Sequence, residues 1–294
     1  AGDHGVARTS GTSAYPPEVT AQMVVNFATG GAAANVLARQ AGATVRVVDV
    51  SVDAEPSYMA GVDDAVTARR VRRSSGSIDR EDAMTGDECR TALALGRTLA
   101  REARDFGADI VIPGDMGIGN TTPAAALIGL LTGASAATVT GRGTGIDDDV
   151  LARKTSVVAA AMTRGAPRTH DHVALLASVG SPDIAAMTGL LLGAAEQGLP
   201  VILDGVVSCA AALVARAADP DACAWWAAGH RSTEPGASVA LASLGLPPIL
   251  DLDLRLGEGT GALLALHLVN AAALTLAEMA TFDAAGVSDR PRDA

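Results

Sequence analysis

The sequence predicts an α/β fold organised as a doubly wound, mostly parallel sheet, and three observations predict it. Short apolar runs alternate with helical patterns at least five times, as consecutive strand–helix–strand units require. Glycine-rich loops follow several of these runs, so they gather into one crevice at the sheet edge where ligands bind in such folds. Hydrophobic residues make up 49% of the 294 residues but aromatic residues only 2%, so Ala, Val, Leu and 32 glycines carry the packing and elements approach closely. That length fits one large domain or two modest ones.

The chain opens on a glycine-rich loop, residues 2–11, that holds Asp3, His4 and Gly5. It starts without Met and inside a loop, so a further N-terminal segment is expected ahead of it. Tyr15-Pro16-Pro17-Glu18 starts a helix whose apolar stripe is Val19, Met23 and Phe27, four residues apart. Gly30 and Gly31 break it, and a second helix runs to about Gln40. Residues 44–50 predict a strand, with Asp49, Asp53 and Glu55 at and beyond its carboxyl end. Arg69, Arg70, Arg72 and Arg73 form the one basic patch, read either as a phosphate contact or as a solvated or subunit-contact face.

Residues 84–106 predict a long amphipathic helix leading to a central strand at 109–113. Residues 172–178 predict another strand, and Gly180 and Asp183 then start a helix. Residues 200–204 are a short strand, followed by Gly205, Ser208 and an apolar helix. Trp225 and Trp226 precede His230, and Thr233-Glu234-Pro235 reads as a further helix start. Residues 248–254 predict the last strand, 261–279 a long apolar helix, and 288–294 a frayed polar tail.

The formal charge of −11 argues against a nucleic-acid partner, which needs a basic footprint. It leaves room for an anionic ligand held by backbone amides. Cys89, Cys209 and Cys223 are scattered and form no C-x-x-C, which predicts reduced structural thiols and a cytoplasmic protein. The five histidines, His170 and His172 beside Asp171 included, show no metal-ligand spacing, so no metal is expected. The apolar run at 261–279 reaches membrane length but contains His267, Asn270, Thr275 and Glu278, so a buried helix is expected rather than a membrane span.

Residues 108–126, ADIVIPGDMGIGNTTPAAA, organise the chain. A short apolar run leads into Gly114, Gly117 and Gly119, and Asn120, Thr121, Thr122 and Pro123 then open a helix. Bare amides and the positive end of a helix dipole meet there, which suits a phosphate; a plain tight turn is the other reading. The loop is neither a Walker loop nor a full G-x-G-x-x-G. A second glycine turn, GRGTGIDDD at 141–149, precedes another helix, whose first turn takes Asp147, Asp148 and Asp149. Lys154 lies about one turn in, either exposed or reaching back toward the loop. In RLGEGTGA, at 255–262, Glu258 stands between two glycines. An uncrowded carboxylate among phosphate nests suits a general base in transfer of a phosphorylated sugar; capping of the last helix is the alternative.

Taken together these stretches resemble the nicotinate-nucleotide–dimethylbenzimidazole phosphoribosyltransferase family of cobalamin lower-ligand synthesis. The resemblance runs through GDHGV (2–6), YPPEVT (15–20), GDMGIGNTTPAAA (114–126), GRGTGIDD (141–148), AAMTGLLLGAA (185–195), PVILDG (200–205), GHRSTEPG (229–236) and LRLGEGTGALLAL (254–266). These lie in order and cover almost the whole chain. The resemblance implies a Rossmann-like large domain, residues 1–260, and a small helical domain to which residues 261–294 contribute, assembled as a homodimer. It implies transfer of ribose 5-phosphate from nicotinate mononucleotide to 5,6-dimethylbenzimidazole, giving α-ribazole 5′-phosphate and nicotinate, with inversion at the anomeric carbon. Glu258 would be the general base, and neither metal nor cofactor is implied. The substrate-binding set expected from loops and resemblance together is Asp115, Gly117, Asn120, Thr121, Gly141, Gly143, Gly145, Lys154, Ser232, Glu234 and Gly236.

Two departures stand out. Asp115 occupies a position where the family commonly has Glu, which leaves its carboxylate about 1 Å short of a ribose or base partner. Several dozen residues that usually precede the DHGV loop are absent from this sequence. Two other readings remain: a non-catalytic nucleotide- or base-binding protein of the same fold, and the same transferase with another acceptor base.

Overall fold

The computed structural model describes residues 1–59, 61–288 and 290. Strands β1 (Val201–Leu203), β2 (Trp226–His230) and β3 (Pro248–Leu250) form a parallel sheet in the order β1-β2-β3. Val111 extends it by one parallel bridge to Val201 on the free side of β1. Helices Val206–Ala218 and Pro235–Leu244 connect the strands, so two strand–helix–strand units build the sheet.

Most of the core is helix on helix. Helix Gly86–Asp105 starts at a capping box in which Thr85 and Glu88 bond each other's backbone amides. It packs along helix Pro182–Glu196 through glycines: a Cβ on Gly189 would run into the carbonyl of Leu93, and one on Gly96 into that of Ala186. The alanine and glycine content thus does what composition suggests, letting two backbones touch.

Several expected strands differ. Residues 172–178 belong to helix His172–Val179, because Asp171 accepts from the amides of Val173 and Ala174 and so caps a helix start. A short apolar run does not distinguish a buried helix from a strand. Residues 44–50 run extended without entering a sheet; residues 44–48 line a cavity together with Ile110 and Ile112 instead of pairing with them. Of residues 109–113 only Val111 pairs, and of 248–254 only the first three form a strand. β2, by contrast, arises from the Trp225–Trp226 region, where no strand was read.

The four arginines of the basic patch are ion-paired within the chain: Arg69 with Glu102, Arg70 with Asp49, Arg72 with Glu88 and Arg73 with Glu55. Helix Thr260–Glu278 is buried mainly over its first two turns, through Leu266, while Leu268, Leu274 and Leu276 are exposed, so the expectation of a buried helix holds for one part only. Among the described residues it is the one helix long and apolar enough to cross a membrane. Of the expected frayed tail, Asp289 and residues 291–294 lie outside the described residues.

Candidate active site

The carboxyl ends of β1 and β2 open into a crevice of about 730 Å³. Asp204 lies just past β1, His230 ends β2, and Glu258 projects from the loop after β3, so the sheet itself sets the site. The first glycine loop and the Glu258 loop are in direct backbone contact. A Cβ on Gly114 would lie 2.7 Å from the Glu258 carbonyl oxygen, so a side chain there would push the two loops apart.

Along the first loop, Asn120 donates to Asp115 Oδ2 at 2.8 Å, and the Ile118 amide donates to Thr20 at 3.0 Å. Asp115 therefore has one oxygen held by the loop that carries it. Helix Thr121–Thr132 then begins, and its Thr121 hydroxyl accepts from Lys154 Nζ at 2.7 Å. Lys154, the chain's one lysine, is 1% exposed and also donates to the Gly141 carbonyl at 2.9 Å. It is the buried cation reaching back to the loops, and it ties the first glycine loop to the second. Burial pulls its pKa down, and the Glu234 charge opposes that pull.

Glu234 completes this tie from the third element. Its Oε1 accepts the Gly143 amide at 2.7 Å, with Gly143 in the left-handed region at φ 55°. Gly141 carries no side chain because a Cβ would overlap the Glu234 carboxylate. Ser232 in turn accepts the Glu234 amide at 3.3 Å. The S-x-E-x-G segment thus braces the second glycine loop from behind.

Glu258 sits in a run of three left-handed residues, Gly257 at φ 78°, Glu258 at 64° and Gly259 at 83°. A non-glycine residue in that region costs about 1–2 kcal/mol, so the loop must be held from outside. Asp204 holds it. Its two carboxylate oxygens accept the amides of Gly259 and Ala262, each at 3.1 Å, and His230 Nε2 lies 3.3 Å from Oδ1. Asp204 thereby takes the amides of the N-cap residue, Gly259, and of Ala262 in the first turn of helix Thr260–Glu278, and Gly259 offers no side chain. Among the described residues no side chain but that of Asp204 caps this helix, so the helix-capping reading of Glu258 is displaced, and Glu258 lines the crevice. Burial first, and the Asp204 charge second, push its pKa up to about 7.

Nine of the twelve expected residues line the crevice: Glu258, Asp115, Gly117, Asn120, Thr121, Gly143, Lys154, Ser232 and Glu234. Gly141, Gly145 and Gly236 do not. Gly141 makes room for Glu234, and Gly236 lets its helix approach Val139 and Ile128. Gly117 makes room for a neighbour as well, since a Cβ would overlap the Gly2 carbonyl and lie 2.8 Å from His4 Nε2. Asp204 and His230 escaped sequence reasoning; an aspartate closing an apolar strand before glycine was the available signal. Val19, Met23, Met116 and Met187 add an apolar wall, although Val19 and Met23 read in sequence only as a helix stripe.

The fold is that of a phosphoribosyltransferase: the family model of that description matches residues 1–287. A nicotinate-nucleotide–dimethylbenzimidazole phosphoribosyltransferase of Mycobacterium tuberculosis is 55% identical over 293 residues, covering 100% of this chain and 80% of the relative. Its namesake in Mycobacterium avium is 55% identical over 289 residues, covering 98% and 81%. The crystal structure of CobT from Thermus thermophilus aligns with a TM-score of 0.93 at 46% identity, over 98% of this chain and 85% of that one. The chain belongs to the nicotinate-nucleotide–dimethylbenzimidazole phosphoribosyltransferase family.

Proposed function

We propose that the enzyme moves ribose 5-phosphate from nicotinate mononucleotide to 5,6-dimethylbenzimidazole, with Glu258 as general base. The observation that carries this is the placement of Glu258. It lines the crevice on a loop held by Asp204, and its pKa is pushed up to about 7. A base with that pKa is half ionised at neutral pH and strong enough to accept a proton as it leaves an attacking nitrogen. The acceptor nitrogen forms its bond to the anomeric carbon, the bond to nicotinate breaks, and Glu258 takes the acceptor's N–H proton. Attack from the face opposite nicotinate inverts the β nucleotide to an α product.

The loops braced by Lys154 and Glu234 supply amides for the phosphate and ribose, and the apolar wall takes the planar acceptor. Burial of Lys154 puts a positive charge behind those loops in a low-dielectric setting. By the same family reading the enzyme works as a homodimer in the cytoplasm, and residues 261–294 belong to a small helical domain.

Chromatography of a reaction of nicotinate mononucleotide with dimethylbenzimidazole tests the reading. It predicts nicotinate and α-ribazole 5′-phosphate in equal amounts; nucleotide binding without nicotinate release would favour a non-catalytic binding protein. Met23, Met116 and Met187 in the wall favour a second reading as well, because methionine adapts to differently shaped partners. A panel of other planar bases in the same assay measures how wide the acceptor range is.

A further inference from the structure

At one side of the crevice Asp115 meets two buried side chains, His4 and Asp183, to which the transfer reaction assigns no role. His4, Asp115 and Asp183 come from three separate elements: the opening loop, the first glycine loop and the first turn of helix Pro182–Glu196. One ligand atom from each lies within 4.8 Å of the other two. His4 is 1% exposed and Asp183 4%.

Their polar atoms are poorly satisfied. Of twelve buried side-chain atoms without a hydrogen-bond partner among the described residues, six belong to Asp3, His4, Ser51 and Asp183. Both Asp183 oxygens and both His4 nitrogens are among them. His4 Nε2 lies 3.2 Å from Asp183 Oδ2, yet without the geometry of a hydrogen bond. Asn120 satisfies one oxygen of Asp115. Orphaned buried groups carry a free-energy cost and are rare in folded proteins unless something binds them.

Charge strengthens the case. Two carboxylates converge on one imidazole where burial weakens screening, with the N-terminal ammonium the other positive charge acting on both. A divalent cation offsets both and takes the imidazole nitrogen and carboxylate oxygens as ligands. One imidazole with two carboxylates suits borderline first-row ions better than Mg²⁺ or Ca²⁺, which favour oxygen alone. Gly117 packs close to the ring, since a Cβ there would lie 2.8 Å from His4 Nε2, and so restricts its position.

We propose that His4, Asp115 and Asp183 form a binding site for one divalent first-row transition cation of the Zn²⁺ or Mn²⁺ kind. The cation's role is positional. It fixes the Asp115 oxygen that Asn120 leaves free and ties the opening loop to the crevice, while the proton transfer stays with Glu258. The inference rests on the geometry of these three residues and stands whether or not the acceptor is dimethylbenzimidazole.

The test uses the full chain, stripped with a chelator and titrated calorimetrically with Zn²⁺ and separately with Mn²⁺. One ion per chain is expected. His4→Gln and Asp183→Asn are each expected to weaken binding at least tenfold, whereas Asp87→Asn, at an exposed carboxylate, leaves it unchanged. Since buried substitutions can impair folding, pulsed electron paramagnetic resonance of the Mn²⁺-loaded unsubstituted chain gives an independent reading. Nitrogen-14 coupling from a bound imidazole is expected. Absence of stoichiometric binding, or stoichiometric Mn²⁺ without nitrogen coupling, would overturn the proposal.

Discussion

Asp204 holds the loop that presents Glu258. Its carboxylate accepts the amides of Gly259 and Ala262 from 55 and 58 residues away, and its charge helps raise the pKa of Glu258. One side chain therefore both holds the loop that carries Glu258 and adds to the burial that raises its pKa.

Asp204→Asn separates these effects. With Glu258 as the proposed base its working form is ionised, so kcat/KM is expected to rise with pH through the raised pKa of about 7. Removing the neighbouring negative charge makes ionisation easier, so the acid limb moves to lower pH. It stays above the ordinary glutamate range because burial, the larger cause, remains. Asn also keeps one acceptor oxygen where Asp had two, which costs about 1–3 kcal/mol and lowers Tm. A pH–rate profile and a melting curve on the same variant check both expectations.

Lys154→Met keeps the buried shape and removes the cation. The Thr121 hydroxyl and the Gly141 carbonyl lose their shared donor, and Glu234 loses a neighbouring positive charge. Hydrogen bonds to a charged group contribute about 1.5–3 kcal/mol, so nucleotide affinity is expected to fall about 10- to 100-fold. Stability changes less, because burying an ammonium is itself costly. Titration with nicotinate mononucleotide reads the first effect and thermal unfolding the second.

Two glycines of one loop should respond differently to alanine. At Gly141 the new methyl overlaps the Glu234 carboxylate and dislodges its bond to Gly143, so nucleotide binding is expected to weaken sharply. At Gly145, with φ 113° and open space around it, only backbone strain of about 1–3 kcal/mol is expected. Binding titrations of the two variants side by side make the comparison.

Much of this was legible in residue order. The glycine loops, the helix starts at Thr121, Asp148 and Pro235, and the position of Glu258 between two glycines follow from local chemistry. What was not legible depends on contacts far apart in sequence. Asp204 reads as the end of a strand until the amides of residues 259 and 262 are placed beside it. Gly117 reads as a bare amide for a ligand until Gly2 and His4 occupy the space of its missing side chain. The helix at 172–179 reads as a strand in sequence because a mostly apolar run of seven residues, 172–178, fits either state, and the capping bonds of Asp171 decide between them. The sheet is also smaller than the alternation suggests, since helices joined by glycine contacts fill much of the core.

The most direct measurement is steady-state turnover of Glu258→Gln beside its nucleotide affinity. The amide fits the same loop but accepts no proton, so kcat is expected to fall about 10²–10⁴-fold while the Kd for nicotinate mononucleotide stays near that of the unsubstituted enzyme. Unchanged turnover would contradict Glu258 as the base, and with it the account of how this crevice works.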